Sequence, residues 1–270
     1  MRKITGNVYV ESKISRCNTS LVVTKEGVVV IDTPMVPANA KKWAKEAVKF
    51  GPIRYVINTE PHGDHVSGNC YMGGTLVAHE GTRDAILASK VDDFKGMLKM
   101  MEPDSLPLDW DFRFRPPDIT LSQRLTLYLG DHSFHLINMP GHTPFQVAVH
   151  VPEERIIFTG DNVVVEDTPF FRQALPKEWL KSLKKLQKLD VDKVVPGHGN
   201  VCDKSYLQEM YKIVTIWIDA VSDAVARGMT LEEAQKKVKL AEKFPWLSGD
   251  ERTAGVIRMN VARLYEVLKK

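Results

Sequence analysis

Residues 58–69 read NTEPHGDHVSGN and directly follow IRYVI, an apolar run that predicts a buried strand. Glu60, His62, Asp64 and His65 lie close together in this stretch. Residues two apart in an extended segment point to the same side, so we expect Glu60, His62 and Asp64 to face one point. His65 would approach that point from the turn into the next helix. The pattern indicates a metal or catalytic site, and this stretch alone leaves open a polar turn that caps a helix.

Three later stretches repeat this arrangement of a strand followed by a polar side chain. MPGHTP presents His142, FTGDNV presents Asp161 and VPGHGN presents His198, each directly after a glycine. Glycine lets the backbone approach a shared centre, and loops at one edge of a rigid sheet commonly carry such sites. Imidazole and carboxylate together suit zinc, manganese or iron. Seven candidate ligands exceed one tetrahedral zinc and indicate two ions with a bridging carboxylate.

Composition and patterning narrow the class of protein. The chain has 270 residues, enough for one large domain or a domain with a helical appendage. A formal charge of +3 is too small to indicate a nucleic-acid partner, and no apolar run approaches the length of a membrane span. The first residues, MRKITGNVYVESKIS, lack the apolar core of an export signal, and three scattered cysteines suggest no disulfide framework. We therefore expect a cytoplasmic protein with a small-molecule substrate and neither a nucleic-acid nor a membrane partner.

Strand and helix patterns divide the chain into an α/β part and a helical part. NVYVES, TSLVVT and GVVVIDT predict a strand meander, ANAKKWAKEAVKF a helix, and residues 102–118 a long surface loop. Five more strands, a helix and a last short strand in KVVPGHG follow. From about residue 203 the pattern is helical, with Thr230 as an N-cap and Glu233 three residues later. The sequence predicts one α/β body with a helical C-terminal segment.

The ordered motifs EPHGDH, PGHTP, TGDN and PGHG, after VVVIDTP, closely resemble the metallo-β-lactamase superfamily over residues 6 to about 200. The resemblance implies a four-layer αβ/βα sandwich over residues 1–202, on which a helical extension, residues 203–270, packs. It also implies a dinuclear site at the edges of the two sheets. One metal would be held by His62 and His142, and the second by Asp64, His65 and His198, with Asp161 bridging and Asp32 orienting the site from behind.

Glu60 departs from the motif of this family, which usually has a histidine at that position. A glutamate can still bind the first metal, and it would add a negative charge that favours harder ions such as manganese or iron. The alternative is that Glu60 turns away and that metal is weakly held. We expect Glu60 to bind, as one of seven ligands.

The resemblance implies a binuclear hydrolase that uses a metal-bridged hydroxide on a small ester, lactone, thioester or β-lactam-like bond. Asp64 is the expected proton carrier, and two divalent ions, zinc first and manganese or iron as alternatives, are the expected cofactors. An iron-dependent redox enzyme of the persulfide dioxygenase type and a phosphotriesterase are the alternative functions. The C-terminal helices could form a homodimer contact, and the sequence identifies no substrate-binding residue.

Other polar and apolar residues fit structural roles better than functional ones. His79, His132, His135 and His150 match no ligand motif and are expected in strands or on the surface. Cys202 lies four residues after His198, and we interpret it as a structural thiol rather than a soft ligand. Phe94, Met97, Leu98 and Met101 share one helix face, which packing explains better than a substrate cleft.

Overall fold

Two β-sheets face each other in a computed structural model that describes residues 1–14, 16–240, 244 and 251–269, without the side chain of Arg252. The first sheet has the order β1-β2-β3-β4-β5-β6-β7, formed by Arg2–Lys3, Val8–Glu11, Thr19–Thr24, Gly27–Ile31, Ile53–Ile57, Thr75–His79 and Ile119–Leu121. The second has the order β13-β12-β11-β10-β9-β8; in chain order from β8 its strands are Arg124–Leu129, His132–Asn138, Val147–Val151, Ile156–Phe158, Lys193–Val195 and Cys202–Asp203.

Helices connect these strands and follow the second sheet. In chain order, α1 to α8 are Pro37–Ala47, Gly63–Val66, Glu80–Ala88, Val91–Met101, Pro176–Leu186, Tyr206–Ala226, Leu231–Lys237 and Glu251–Leu268. The predicted cap of α7 is confirmed: the Thr230 hydroxyl accepts from the Glu233 N–H at 3.2 Å, and the Glu233 carboxylate accepts from the Thr230 N–H at 2.9 Å.

The alternation of side chains along each strand creates the layers. On β4, Val28 and Val30 pack against Trp43 of α1, whereas Val29 and Ile31 face the second sheet. Because side chains alternate with a period of two, a strand that is apolar on both faces must be covered on both. The first sheet therefore lies between α1 and the second sheet.

The outer face of the second sheet is covered by α5 and the C-terminal helices. Ile157 and Val194 share a buried core with Trp179 of α5 and Trp217 of α6, and Leu264 of α8 belongs to the same core. Helices outside two stacked sheets give the predicted four-layer αβ/βα sandwich. Apolar contacts continue from the second sheet to α8, and a domain boundary after residue 202 stays a prediction.

Parallel pairing brings strand ends to one edge of each sheet. β4, β5, β6 and β7 are parallel neighbours in the first sheet, and β11 and β12 are parallel neighbours in the second. Their carboxyl ends lead into the polar stretches found in the sequence. The fold therefore places Asp32, the 58–69 stretch, Asp161 and His198 at one end of the sandwich.

Two sequence expectations need correction. Asp64 lies on α2, a single helical turn, and not in an extended segment, so strand alternation does not align it with Glu60 and His62. Residues 102–118 are largely irregular as predicted, but Phe112 is buried against Phe94 and Leu98, so this segment is not wholly a surface loop. Among the described helices, none is long and apolar enough to cross a membrane.

His132 lies far from the polar end of the sandwich, and it should make the free energy of unfolding depend on pH. Its two ring nitrogens lie 3.0 Å from Asp131 Oδ1 and 3.0 Å from Glu154 Oε1. Burial opposes its charge, but the hydrogen bonds to Glu154 and Asp131 outweigh burial and raise the pKa of His132. The protonated ring can donate to both carboxylates, and such charge-assisted bonds contribute about 1.5–3 kcal/mol each. The stabilisation is present below the unfolded pKa of about 6.5 and is lost as the pH rises through the higher folded pKa.

We expect His132→Asn to lower the free energy of unfolding more at about pH 6 than at about pH 9. Denaturant unfolding of both chains in the presence of a chelator measures this difference. If the substitution lowers the free energy of unfolding equally at both pH values, the imidazole is neutral in the folded protein.

Candidate metal centre

Seven side chains predicted as ligands converge at the polar end of the sandwich. Their nitrogen and oxygen atoms form three groups, each lying within 4.8 Å: Glu60, His62 and His142; Asp64, His65 and His198; and Glu60, His65 and Asp161. The loop after β5 supplies Glu60 and His62, α2 supplies Asp64 and His65, and the loop after β9 supplies His142. The turn after β11 supplies Asp161 and the loop after β12 supplies His198.

The first group joins the two histidines predicted for one metal to Glu60. Glu60 Oε2 lies 2.5 Å from His62 Nδ1 and 3.4 Å from His142 Nε2. His142 Nε2 lies 3.1 Å from His62 Nδ1. Glu60 therefore turns toward the two histidines and not away from them, which is the arrangement that ligation by Glu60 requires.

The second group lies on the other side of Asp161. His198 Nε2 is 3.4 Å from Asp64 Oδ2, and His65 Nε2 is 3.9 Å from the same oxygen. Asp64 is the most accessible carboxylate of the cluster, with a side chain that is 24% exposed, whereas that of Glu60 is 0% exposed. A proton carrier must exchange with solvent, so this exposure favours Asp64 over Glu60 for that role.

Asp161 lies between the two groups. Its Oδ1 is 3.2 Å from His65 Nε2, and its Oδ2 is 3.2 Å from His198 Nε2 and 3.6 Å from His142 Nε2. One carboxylate thus reaches histidines of both groups. This is the position that the predicted bridging role needs.

Asp32 fixes the orientation of His65 from behind. Asp32 Oδ2 accepts from His65 Nδ1 at 2.9 Å and from the Thr59 hydroxyl at 2.6 Å, and Oδ1 accepts from the Thr59 N–H at 2.8 Å. Asp32 is buried and has a φ of 55°, a left-handed conformation that is unusual outside glycine and common at functional sites. The bond to Nδ1 leaves Nε2 of His65 directed at Asp161, as in metal sites with an oriented histidine.

Three buried atoms of the cluster, Glu60 Oε2, His65 Nε2 and Asp161 Oδ1, lie close to polar neighbours but form no hydrogen bond of good geometry. Buried polar atoms are almost always hydrogen-bonded, because leaving one unpaired costs about 1–3 kcal/mol. Apart from the 2.5 Å contact between Glu60 and His62, the distances given above for the cluster are 3.1–3.9 Å, and they resemble the separation of about 3.4 Å expected between atoms that bind one ion at about 2.1 Å. The residues therefore fit a divalent metal: these atoms belong to ligand-type groups and most are spaced as ligands.

The metal-free cluster balances its carboxylates with protons on the imidazoles. Burial opposes charge on His62, but the Glu60 carboxylate outweighs it and raises the pKa of His62 to about 9. Burial likewise opposes charge on His198, and Asp161 outweighs it and raises that pKa well above its ordinary value. Asp161 shows the reciprocal effect: burial would raise its pKa, but His198 and His65 hold it well below the ordinary range.

Metal binding should therefore release protons. A ligating imidazole must be neutral, and His62 with a pKa of about 9 is protonated in the metal-free protein at about pH 7.5. We expect about one proton or more per bound zinc ion, and an affinity that rises as the pH rises toward about 9. Calorimetric titration with zinc in buffers of different ionisation enthalpy counts these protons. A count of zero at about pH 7.5 would contradict the protonation of His62.

Several residues that the sequence motifs did not reveal complete the site. Glu60 Oε1 accepts from the Asp161 N–H at 3.1 Å and from Gln146 Nε2 at 3.4 Å, so that Oε2 is the oxygen directed at the histidines. His142 Nδ1 donates to the Phe170 carbonyl at 2.7 Å, and His62 Nε2 donates to Gln173 Oε1 at 3.1 Å. Neither a carbonyl group nor a lone glutamine carries a spacing signal that could have identified these partners.

The remaining histidines and Cys202 lie outside the three groups formed by the described residues. His79 ends β6 and accepts from the Gly81 N–H at 3.0 Å, while His132, His135 and His150 lie on β9 and β10. These positions agree with the strand roles predicted for them. Cys202 is half-buried on β13, where its thiol lies 3.8 Å from the Val194 carbonyl.

The helix α4 flanks the site. Phe94 and Leu98 are buried in a cluster with Met35 and Phe112, as the packing interpretation predicts. Met97, on the same helix, lies next to Gly63. A Cβ added at Gly63 would be 3.0 Å from Met97 Cε. Gly63 immediately follows His62, so Met97 contacts the turn that carries the ligands.

Comparisons with known proteins agree with this architecture. A family model described as the metallo-beta-lactamase superfamily matches residues 14–198. The chain is 22% identical over 294 aligned residues to a linear primary-alkylsulfatase of Pseudomonas sp., covering 91% of this chain and 54% of that protein. It is 26% identical over 213 residues to the acyl-coenzyme A thioesterase MBLAC2 of Homo sapiens, covering 69% of this chain and 74% of that protein.

The solved structure of the stereoselective inverting sec-alkylsulfatase Pisa1 from Pseudomonas sp. has the same fold. Its TM-score is 0.77 at 13% identity, covering 98% of this chain and 49% of that one. The chain spans about half the length of the alkylsulfatases that it matches. The family model covers more than half of the chain, and the chain belongs to the metallo-beta-lactamase superfamily.

Proposed function

We propose that this chain is a binuclear metal-dependent hydrolase of an uncharged acyl bond, in an ester, thioester, lactone or β-lactam-like substrate. One observation carries the proposal: Glu60 Oε2, His65 Nε2 and Asp161 Oδ1 are buried at the centre of a cluster of imidazoles and carboxylates without a hydrogen bond of good geometry. Members of the superfamily are mostly metal-dependent hydrolases, which makes a cation the natural partner of these atoms.

We assign Glu60, His62 and His142 to one ion and Asp64, His65 and His198 to the other, with Asp161 contributing to both. Zinc is the proposed metal because each half would supply three terminal ligands, two imidazoles and one carboxylate, which are groups that zinc binds. The carboxylate of Glu60 keeps manganese and iron as alternatives. When bound, divalent ions would supply polarisation of the scissile bond and a water of lowered pKa.

The chain's own residues would handle the proton. Burial raises the pKa of Asp64, but His65 and His198 outweigh burial and lower it, so the carboxylate is ionised and able to accept a proton. Its partial exposure gives that proton a route to solvent. Asp64 is therefore our candidate for taking the proton from the attacking water at Oδ2 and passing it to the leaving group.

The charge of the cluster supports an uncharged acyl substrate. Glu60, Asp64 and Asp161 together offset three of the four positive charges that two divalent ions bring. Such a nearly neutral centre attracts an anionic sulfate or phosphate ester less strongly than a centre with only two carboxylates, which would carry a higher net positive charge. The thioesterase among the relatives acts on an acyl bond of this kind, as its name states.

Hydrolysis of a sulfate ester is the second candidate. The similarity to a linear primary-alkylsulfatase covers 91% of this chain, and the structural similarity to the sec-alkylsulfatase covers 98%, so the likeness is not confined to the sandwich. Carbon and sulfur esters can be attacked in the same two-metal geometry. A cytoplasmic location and a homodimer through the C-terminal helices stay predictions.

Metal analysis followed by a substrate panel tests the proposal. The purified chain, loaded separately with zinc, manganese and iron, should hold about two ions and hydrolyse an ester, a thioester or a lactone faster than an alkyl sulfate or a phosphotriester. Faster turnover of the alkyl sulfate would select the second candidate. A single iron with oxygen consumption in the presence of a persulfide would favour the redox alternative and refute the hydrolase.

A further inference from the structure

The segment from Pro169 to Ala174 forms one wall of the first metal group. Two hydrogen bonds join it to the histidines of that group. The Phe170 carbonyl accepts from His142 Nδ1 at 2.7 Å, and Gln173 Oε1 accepts from His62 Nε2 at 3.1 Å. A carbonyl oxygen can only accept, so His142 carries a proton on Nδ1 and directs Nε2 at Glu60. The segment thus determines which nitrogen of each histidine is available to a metal.

Asn260 of α8 holds this segment in place. Its side chain is fully buried and makes both of its hydrogen bonds to the backbone on either side of Phe170. Asn260 Nδ2 donates to the Pro169 carbonyl at 2.7 Å, and Asn260 Oδ1 accepts from the Phe171 N–H at 2.8 Å. One amide from the last helix therefore fixes the peptide group that carries the Phe170 carbonyl and the peptide group before it.

Three further contacts hold the segment in place. The Phe171 ring lies 5.0 Å from that of Trp179 and 5.6 Å from that of Trp217, measured between centroids. Arg263, one turn after Asn260 on α8, donates to the Ala174 carbonyl at 3.3 Å. The aromatic contacts bury the Phe171 ring but do not fix the orientation of the backbone. The amide of Asn260 fixes that orientation.

We propose that Asn260 is a positioning residue for the half of the metal centre formed by Glu60, His62 and His142. The inference rests on the proposed metal centre and adds that the C-terminal helix is part of its construction. The other half is oriented differently, because His65 takes its orientation from Asp32, directly after β4, and not from the segment. The two halves should therefore respond separately to changes at Asn260.

The test compares zinc binding by Asn260→Ala, Gln173→Ala and the unchanged chain, in competition with a chromophoric zinc chelator. Outer partners of metal-bound histidines typically contribute about 10–100-fold to metal affinity. We expect each variant to weaken one of the two zinc ions by this factor and to leave the other unchanged. Gln173 is exposed, so its replacement interrupts the same chain of contacts without disturbing the core.

Tyr265→Phe is the matched control on the same helix. The Tyr265 hydroxyl donates to the Met229 carbonyl at 2.7 Å, so this variant also removes a buried bond of α8 but does not touch the segment. Its two zinc affinities should equal those of the unchanged chain.

Two results would overturn the inference. Either Asn260→Ala binds both zinc ions as tightly as Tyr265→Phe, or it weakens both ions equally, which indicates a loosened fold. Zinc binding is measured without substrate. A chain that binds two zinc ions but hydrolyses no ester would therefore refute the proposed reaction and leave the role of Asn260 standing. A chain that binds no zinc would overturn both proposals.

Discussion

Replacing Asp161 with asparagine is expected to release at least one metal ion per chain and to lower kcat/KM by about a thousandfold on the best substrate. Asp161 contacts histidines of both groups, at 3.2 Å from His65, 3.2 Å from His198 and 3.6 Å from His142. An amide of the same shape keeps the packing but loses the negative charge and one acceptor oxygen. Bound metals contribute several kcal/mol to transition-state stabilisation, and about 1.4 kcal/mol corresponds to a factor of ten.

Asp203→Asn provides the matched control for this loss of charge. Asp203 is exposed, and its Oδ1 lies 2.6 Å from Lys193 Nζ. Its replacement should therefore leave metal content and turnover unaltered. Elemental analysis and steady-state kinetics of both variants give the result. An Asp161→Asn chain with two metals and full turnover would refute the bridging role.

Gly197→Ala is expected to damage the site by displacing Asp161. A Cβ at position 197 would lie 1.8 Å from Asp161 Oδ1 and 2.7 Å from the backbone carbon of Gly160. Neither neighbour is a flexible chain end: the Gly197 N–H donates to the Gly160 carbonyl at 2.9 Å, which holds the two turns together. Overpacking of this kind costs about 1–3 kcal/mol. We expect loss of that stability together with a metal affinity at least about tenfold lower.

Gly96→Ala separates this steric effect from a general effect of glycine substitution. Position 96 lies within α4, and a Cβ there would meet nothing within 4 Å. Alanine in a helix interior is favoured over glycine by about 0.5–1 kcal/mol, so this variant should be more stable and keep its metals. Thermal unfolding and metal titration measure both properties. Unchanged metal affinity in Gly197→Ala would show that the turn adjusts without moving Asp161.

The strands and the layers could be predicted because their signal is local. Val28 to Ile31 are apolar at every position, which indicates a strand that is covered on both faces, and the structure has Val28 and Val30 under α1 with Val29 and Ile31 between the sheets. The capping box of Thr230 and Glu233 is likewise encoded within four residues. Short-range patterns of this kind depend on few other parts of the chain.

The polar cluster could be located from the sequence, but its internal geometry could not. The four motifs correctly identify residues that converge, yet the argument from strand alternation was wrong for Asp64, because α2 begins at Gly63 and changes the periodicity. Gln173 and Asn260 could not be found at all. Their partners lie 111 and 91 residues away in the chain, and a hydrogen bond between distant segments leaves no spacing pattern.

Anomalous X-ray diffraction from crystals grown with zinc measures the central claim most directly. We predict two anomalous peaks, one among Glu60, His62 and His142 and one among Asp64, His65 and His198, with an oxygen of Asp161 bound to each. Peaks only at other positions, or a cluster that stays without zinc while its side chains point apart, would contradict the account.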